Sequence, residues 1–205
     1  MLPLTVDDLL PLEEYASRRK EFFDSHRRYV DRYRRVRIGP RLTLIFENRQ
    51  TLWYRVHEVI RVARLADSDE VQQELNLYNR LLPGQGLLQA ALLIEIADMA
   101  EFVKELAPWQ DLSGEQLELR IESMRFPAHL VTCRPEDRCI GTAHWVQFAI
   151  PAPSRAQLTR FDVPALLHFD NGYYRHQSAE LSEDLRQSLL DDLEMSDRAD
   201  PRLAG

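Results

Sequence analysis

A chain of 205 residues with 44% hydrophobic residues is long enough to bury a sizeable core, and two cysteines exclude a disulfide scaffold. No apolar run approaches the roughly 20 residues of a membrane span, and the start, MLPLTVDDLLPLEEY, lacks a basic stretch followed by an apolar one, so the expected compartment is the cytoplasm. The net charge of −7 argues against a nucleic-acid partner, although residues 18–41 gather ten Arg or Lys against three acids and residues 180–200 gather eight acids against two Arg.

Pro11 is placed to open a long helix, with Glu13 and Glu14 in its first turn where the helix dipole favours acids. Leu12, Tyr15, Arg19, Phe22, Phe23, His26, Tyr29, Val30 and Tyr33 form a stripe along it to about Arg35. Aromatics between arginines can stack on bases, but such a stripe is more commonly the buried side of a helix. Gly39-Pro40 ends the segment as a turn. Arg41–Phe46 reads as a strand, and after a turn at Asn48-Arg49 a helix follows over about 51–66. Ser68 is expected to cap the next helix, which ends at Pro83-Gly84.

LLQAALLIEIA, from Leu87, is apolar enough for a central strand, and Asp98 opens a helix that Pro108 stops. Leu117–Phe126 is expected as one strand broken by Pro127, with HLVTCR as its partner. Residues 134–142 read as a polar loop, His144–Ile150 as a strand, Ser154-x-x-Gln157 as the cap of a short helix, and VPALLHFD as a last strand. Asp170-Asn171-Gly172 is a turn, and Leu181, Leu185, Leu189 and Leu193 mark a final helix. The expected fold is therefore α+β. N-terminal helices, with an extension over about 1–36, precede a mostly antiparallel sheet of about five or six strands covered by helices. Residues 1–193 are expected to form one domain, and 194–205 a disordered tail.

There is no phosphate-binding glycine loop, dinucleotide fingerprint, nucleophile elbow, HExxH or CxxC pattern. Two constellations remain. In ENRQTLWYRVHEVIR, residues 47–61, each residue advances about 100°. Leu52, Val56, Val59, Ile60 and Ala63 share one side, while Tyr54, His57, Glu58, Arg61 and Arg64 share the other. Residues three or four apart touch, so a phenol, an imidazole, a carboxylate and a guanidinium converge. They are candidates for acid–base work, with Glu47 and Arg49 at the helix entrance as ligand-binding candidates. Glu74, Asn76 and Asn79 would join them if the next helix folds back, and His176 at the last turn is a further ligand candidate. The plain alternative is an interhelical salt-bridge network.

The second constellation is His129, Cys133, Cys139 and His144, the ligand types of tetrahedral zinc at a spacing that matches no familiar module. No metal is expected there, and the residues leave the identity of any cofactor open.

Residues 39–62 (GPRLTLIFENRQTLWYRVHEVIRV) and 74–83 (ELNLYNRLLP), with weaker blocks at 144–150 and 176–193, resemble an uncharacterised bacterial family. Its members are typically encoded beside rubrerythrin and an iron–sulfur oxidoreductase. The family pattern often has Gln at the position of His57, which shifts weight to Glu47, Arg49, Tyr54, Glu58 and Arg61. The resemblance implies an accessory or ligand-binding role in an oxidative-stress or iron-dependent redox system, with a rubrerythrin-like or iron–sulfur protein as partner. The rival is a small-molecule enzyme using Tyr54, Glu58 and Arg61.

Overall fold

The computed structural model describes residues 1–96, 98–131 and 142–198. Helix α1 (Leu12–Tyr33) follows Pro11 and buries Tyr15 and Val30. Strand β1 (Arg35–Ile38) begins two residues later and pairs with β2 (Leu42–Glu47) across the Gly39-Pro40 turn, Ile38 opposite Leu42. In β1 the arginines are exposed while Val36 and Ile38 are buried, the period-two pattern of a strand with one face covered.

Helix α2 (Arg49–Ala63) starts at Asn48, whose side chain accepts from the N–H groups of Gln50 and Thr51. Those donors have no partner inside the helix, so the cap fixes where it begins. Asp67, rather than Ser68, caps α3 (Ser68–Asn79) in the same way. Strand β3 (Leu87–Ile94) is followed by α4 (Phe102–Leu106), β4 (Leu117–Ile121), β5 (Met124–Val131) and β6 (Ala143–Ala149). A 3-10 segment at Ala152–Thr159, β7 (Ala165–Asp170), β8 (Arg175–Gln177) and α5 (Glu183–Arg198) complete the order.

The eight strands form one antiparallel sheet in the order β1-β2-β3-β6-β5-β4-β7-β8. Its edges come round to meet, Ile38 bridging Ser178, so the sheet is a nearly closed barrel. This corrects the expected fold of five or six strands behind N-terminal helices, because there are eight strands among the described residues, helices α2–α4 are interleaved with them and α5 follows the last. The added strands are β1 and β8, the two short strands at the seam, while the pair expected over residues 117–134 is present with its turn moved earlier. That turn lies at Glu122-Ser123, with Glu122 at φ 54°, and β5 runs straight through Pro127.

Alternate residues of every strand up to β7, such as Leu44, Leu92, Phe148, Ala128, Leu119 and Leu167, join one buried cluster. Leu181, Leu185, Leu189 and Leu193 of α5 complete it. A second cluster, Leu4, Leu52, Val56, Ile60, Leu75 and Leu81, holds α2 and α3 together, with Trp145 of β6 packed against it. At the seam the Tyr174 hydroxyl donates to the Ile38 carbonyl at 2.7 Å and accepts from the Arg41 N–H at 3.1 Å. Gly39, at φ +63°, sits where a Cβ would collide with that hydroxyl and with His176, so only glycine fits the turn. No helix among the described residues is long and apolar enough to cross a membrane.

Candidate functional site: a helix clasp and an adjoining pocket

Glu58 of α2 lies between α1 and α2, and both its carboxylate oxygens are occupied. Arg19 donates through Nε and Nη2 at 3.0 and 2.9 Å, Arg61 through Nη2 and Nε at 3.0 and 3.2 Å, and the Tyr15 hydroxyl at 3.0 Å. Burial raises the Glu58 carboxyl, but the hydrogen bonds from Arg19, Arg61 and Tyr15 outweigh it and hold the pKa down to about 2. An acid so depressed is a poor proton acceptor at neutral pH. The arrangement is a clasp between two helices.

Its stability contribution has a defined sign. A carboxyl whose pKa falls from 4.5 unfolded to about 2 folded contributes stability that is full above about pH 4.5 and is lost as pH falls toward 2. Glu58→Gln should cost about 2 kcal/mol at pH 7. Denaturant titrations should show the gap to wild type closing between about pH 4.5 and 2; a gap independent of pH would remove the clasp's role.

His57 is buried and held at both ring nitrogens. Nδ1 lies 2.8 Å from the Trp53 carbonyl and Nε2 lies 3.0 Å from the Leu10 N–H. Leu10 N is a donor, so Nε2 is the acceptor and Nδ1 carries the proton. Burial lowers the imidazole pKa, which keeps the ring neutral, pinning the segment before α1 onto α2. Tyr54 stacks on His26 at 3.9 Å between ring centroids. Burial, then Arg55 and Arg35, pushes the His26 pKa down to about 4.

The other candidates are distributed. Glu47 is buried under Arg55, which donates to its Oε1 at 2.9 and 2.6 Å and lies over the Trp145 ring. Arg49 pairs with Asp8 at 2.6 Å and donates to the Leu2 carbonyl. Asn79 grips the Leu4 backbone through both its amide atoms, and Asn76 accepts from Gln72. Among the described residues neither they nor Glu74 bonds to Tyr54, His57, Glu58 or Arg61. His176, on β8, is exposed and packs against Tyr174 at 4.3 Å.

His129 and His144 lie on opposite faces of the sheet. His129 is opposite Gln147, three residues on from His144, and an odd offset along β6 reverses the face. His129 is exposed and His144 is buried. Cys133 and Cys139 lie outside the described residues. Among those described, no group of three or more His, Cys, Asp or Glu could hold a metal ion.

Next to the clasp, a pocket of about 500 Å³ opens between α1, the start of α2 and α5. Its floor is a buried network built on Arg34. This guanidinium donates to Asp192, to the Tyr29 hydroxyl at 3.0 and 2.6 Å, and to the Ser188 hydroxyl at 2.6 Å. Asn48 adds bonds to Tyr29 at 2.9 Å and to Asp192 at 3.2 Å. Burial pushes the Asp192 carboxyl up, against the pull of Arg34. Trp53 and Met195 give apolar walls, and Arg49, Gln50 and Asp191 complete the lining. The sequence reading missed this floor. One signal was present: Asp192 sits on α5 beside the leucine stripe, where an acid needs a buried partner.

An eight-stranded, nearly closed antiparallel barrel with helices outside it and a polar-floored pocket between three of them defines the class. The chain belongs to the family described as protein of unknown function (DUF3501), whose pattern matches residues 3–193. It is similar to the crystal structure of a novel protein of unknown function from Burkholderia pseudomallei K96243. That likeness has 29% identity and a TM-score of 0.85, covering 94% of this chain and 100% of that one. No curated protein matches.

Proposed function

We propose that this protein is an accessory factor that binds a partner protein or small ligand in an oxidative-stress or iron-dependent redox system, and that it is not the catalyst there. The observation that carries the binding role is the contrast between two neighbouring features. The acid–base residues at the heart of the α2 polar face are committed: Glu58 and Arg61 to the clasp, and His57 to two backbone groups. The pocket beside them has a charge-compensated floor and room for a ligand. The redox setting is supported by the resemblance of residues 39–62 and 74–83 to a family typically encoded beside rubrerythrin and an iron–sulfur oxidoreductase.

Affinity capture under anaerobic, reducing conditions tests the partner. The immobilised chain should retain a rubrerythrin-like protein or its iron–sulfur neighbour and release it as salt rises. Retention of neither would overturn the redox assignment.

A further inference from the structure

The pocket floor has a hydrogen-bonding surplus of one kind. The Tyr29 oxygen accepts from Arg34 through two nitrogens and from Asn48, which fills a phenol's acceptor capacity. Its own O–H makes no hydrogen bond among the described residues. Ser188 is in the same position, its oxygen accepting from Arg34. Both oxygens lie 2.6 Å from the same Arg34 Nη2, so they are no farther apart than about twice that distance. Two hydroxyl donors held so close can meet on a single acceptor, each within ordinary O–H···O reach.

The neighbouring acceptors are already engaged. Both Asp192 oxygens accept from Arg34, with Asn48 adding to one of them, and the Asn48 side-chain oxygen caps α2. Charge then narrows the class. Arg34 is neutralised by Asp192 and Arg49 by Asp8, while Asp191 lines the pocket as a further acid. An anion would meet a net negative surround, and a cation would meet two donors at the floor. The walls, Trp53 and Met195, suit an apolar or aromatic body.

We propose that this pocket binds an uncharged carbonyl compound, its oxygen accepting from the Tyr29 and Ser188 hydroxyls and its apolar body lying along Trp53 and Met195. The inference rests on the binding role proposed above and names its ligand class.

Three probes of one size separate the charges: acetophenone, benzoate and benzylamine, titrated into the full chain and followed by amide chemical shifts. Acetophenone should bind about tenfold more tightly than either ion and perturb residues around Trp53, Ser188 and Met195. Tyr29→Phe should weaken it about tenfold and Ser188→Ala about threefold. Should Tyr29→Phe fail to fold, Ser188→Ala alone decides. Equal affinity for the three probes, preference for an ion, shifts mapping elsewhere, or no loss in either variant would each overturn the proposal. Carbonyl binding without partner capture sinks only the redox assignment, and capture without carbonyl binding sinks only this inference.

Discussion

Replacing Arg186 with methionine should destabilise the protein by about 3–5 kcal/mol, the largest single loss expected outside the apolar core. Arg186 is buried on α5, and its guanidinium donates to four main-chain carbonyls: Leu158 at 2.7 Å, Val163 at 2.9 Å, Gln157 at 3.0 Å and Arg160 at 2.8 Å. These carbonyls belong to the end of the 3-10 segment and the turn after it. The Gln157 and Arg160 carbonyls also accept from the N–H groups of Arg160 and Val163 at 3.3 and 3.2 Å, and carbonyls at a helix end carry partial negative charge. The arginine thus caps one element while anchoring another. Methionine keeps the stem's bulk but takes the charged donor from the Leu158 and Val163 carbonyls, and a Tm drop of about 10 °C is the expected reading. Arg186→Lys should recover less than half of the loss, since an ammonium cannot reach a fork of four acceptors. Full rescue by lysine would mean that charge matters there and geometry does not.

Asp192→Ala should cost a similar amount, about 3–5 kcal/mol, for a different reason. The Arg34–Asp192 pair has side chains only 2% and 4% exposed. Removing the carboxylate leaves a buried guanidinium with hydroxyl partners and no counter-charge. The converse change decides the interpretation. Joint replacement by Arg34→Met and Asp192→Leu should be far milder than the sum of the single losses, because desolvating two charges cancels much of what their attraction returns. A double variant as damaged as the sum would show that the pair contributes stability outright. Either result can be read from chemical denaturation at neutral pH.

How far the sequence reached can be traced residue by residue. The apolar side of α2 was legible, because Leu52, Val56 and Ile60 recur at helical spacing and are buried. Strand β3 was legible from its continuous apolar run. Its Leu88 to Leu92 segment is buried at every position, so both faces are covered. The adjacency of Glu58 and Arg61 followed from their spacing. What that carboxylate does was not legible, since Arg19 and Tyr15, which complete its coordination, lie about 40 positions away on another helix. Strand β1 was hidden for a local reason. RVRI alternates as a strand does, but it follows the last turn of α1 at once and shares the arginine-rich texture of that helix. Strand β8 is three exposed residues, Arg175–Gln177, in register with β7. Pairing across long separations leaves no mark in a local window, and with both edge strands unseen the sheet had no means of closing.

That closure has a consequence for how the chain is made. The seam is completed by contacts such as Tyr174 to Ile38, 136 positions apart. During synthesis β1 emerges before β2 and pairs with it, but its outer edge waits until Tyr174 and Ser178 appear. For that interval the nascent protein carries an unpaired strand edge, the surface on which chains stick to one another. The arginines at 35 and 37, which point outward from that edge strand, place positive charge beside it throughout the wait. A late, long-range step also makes folding slow relative to helical proteins of this size. The C-terminal segment therefore acts as a latch on a fold whose other strands are already in register.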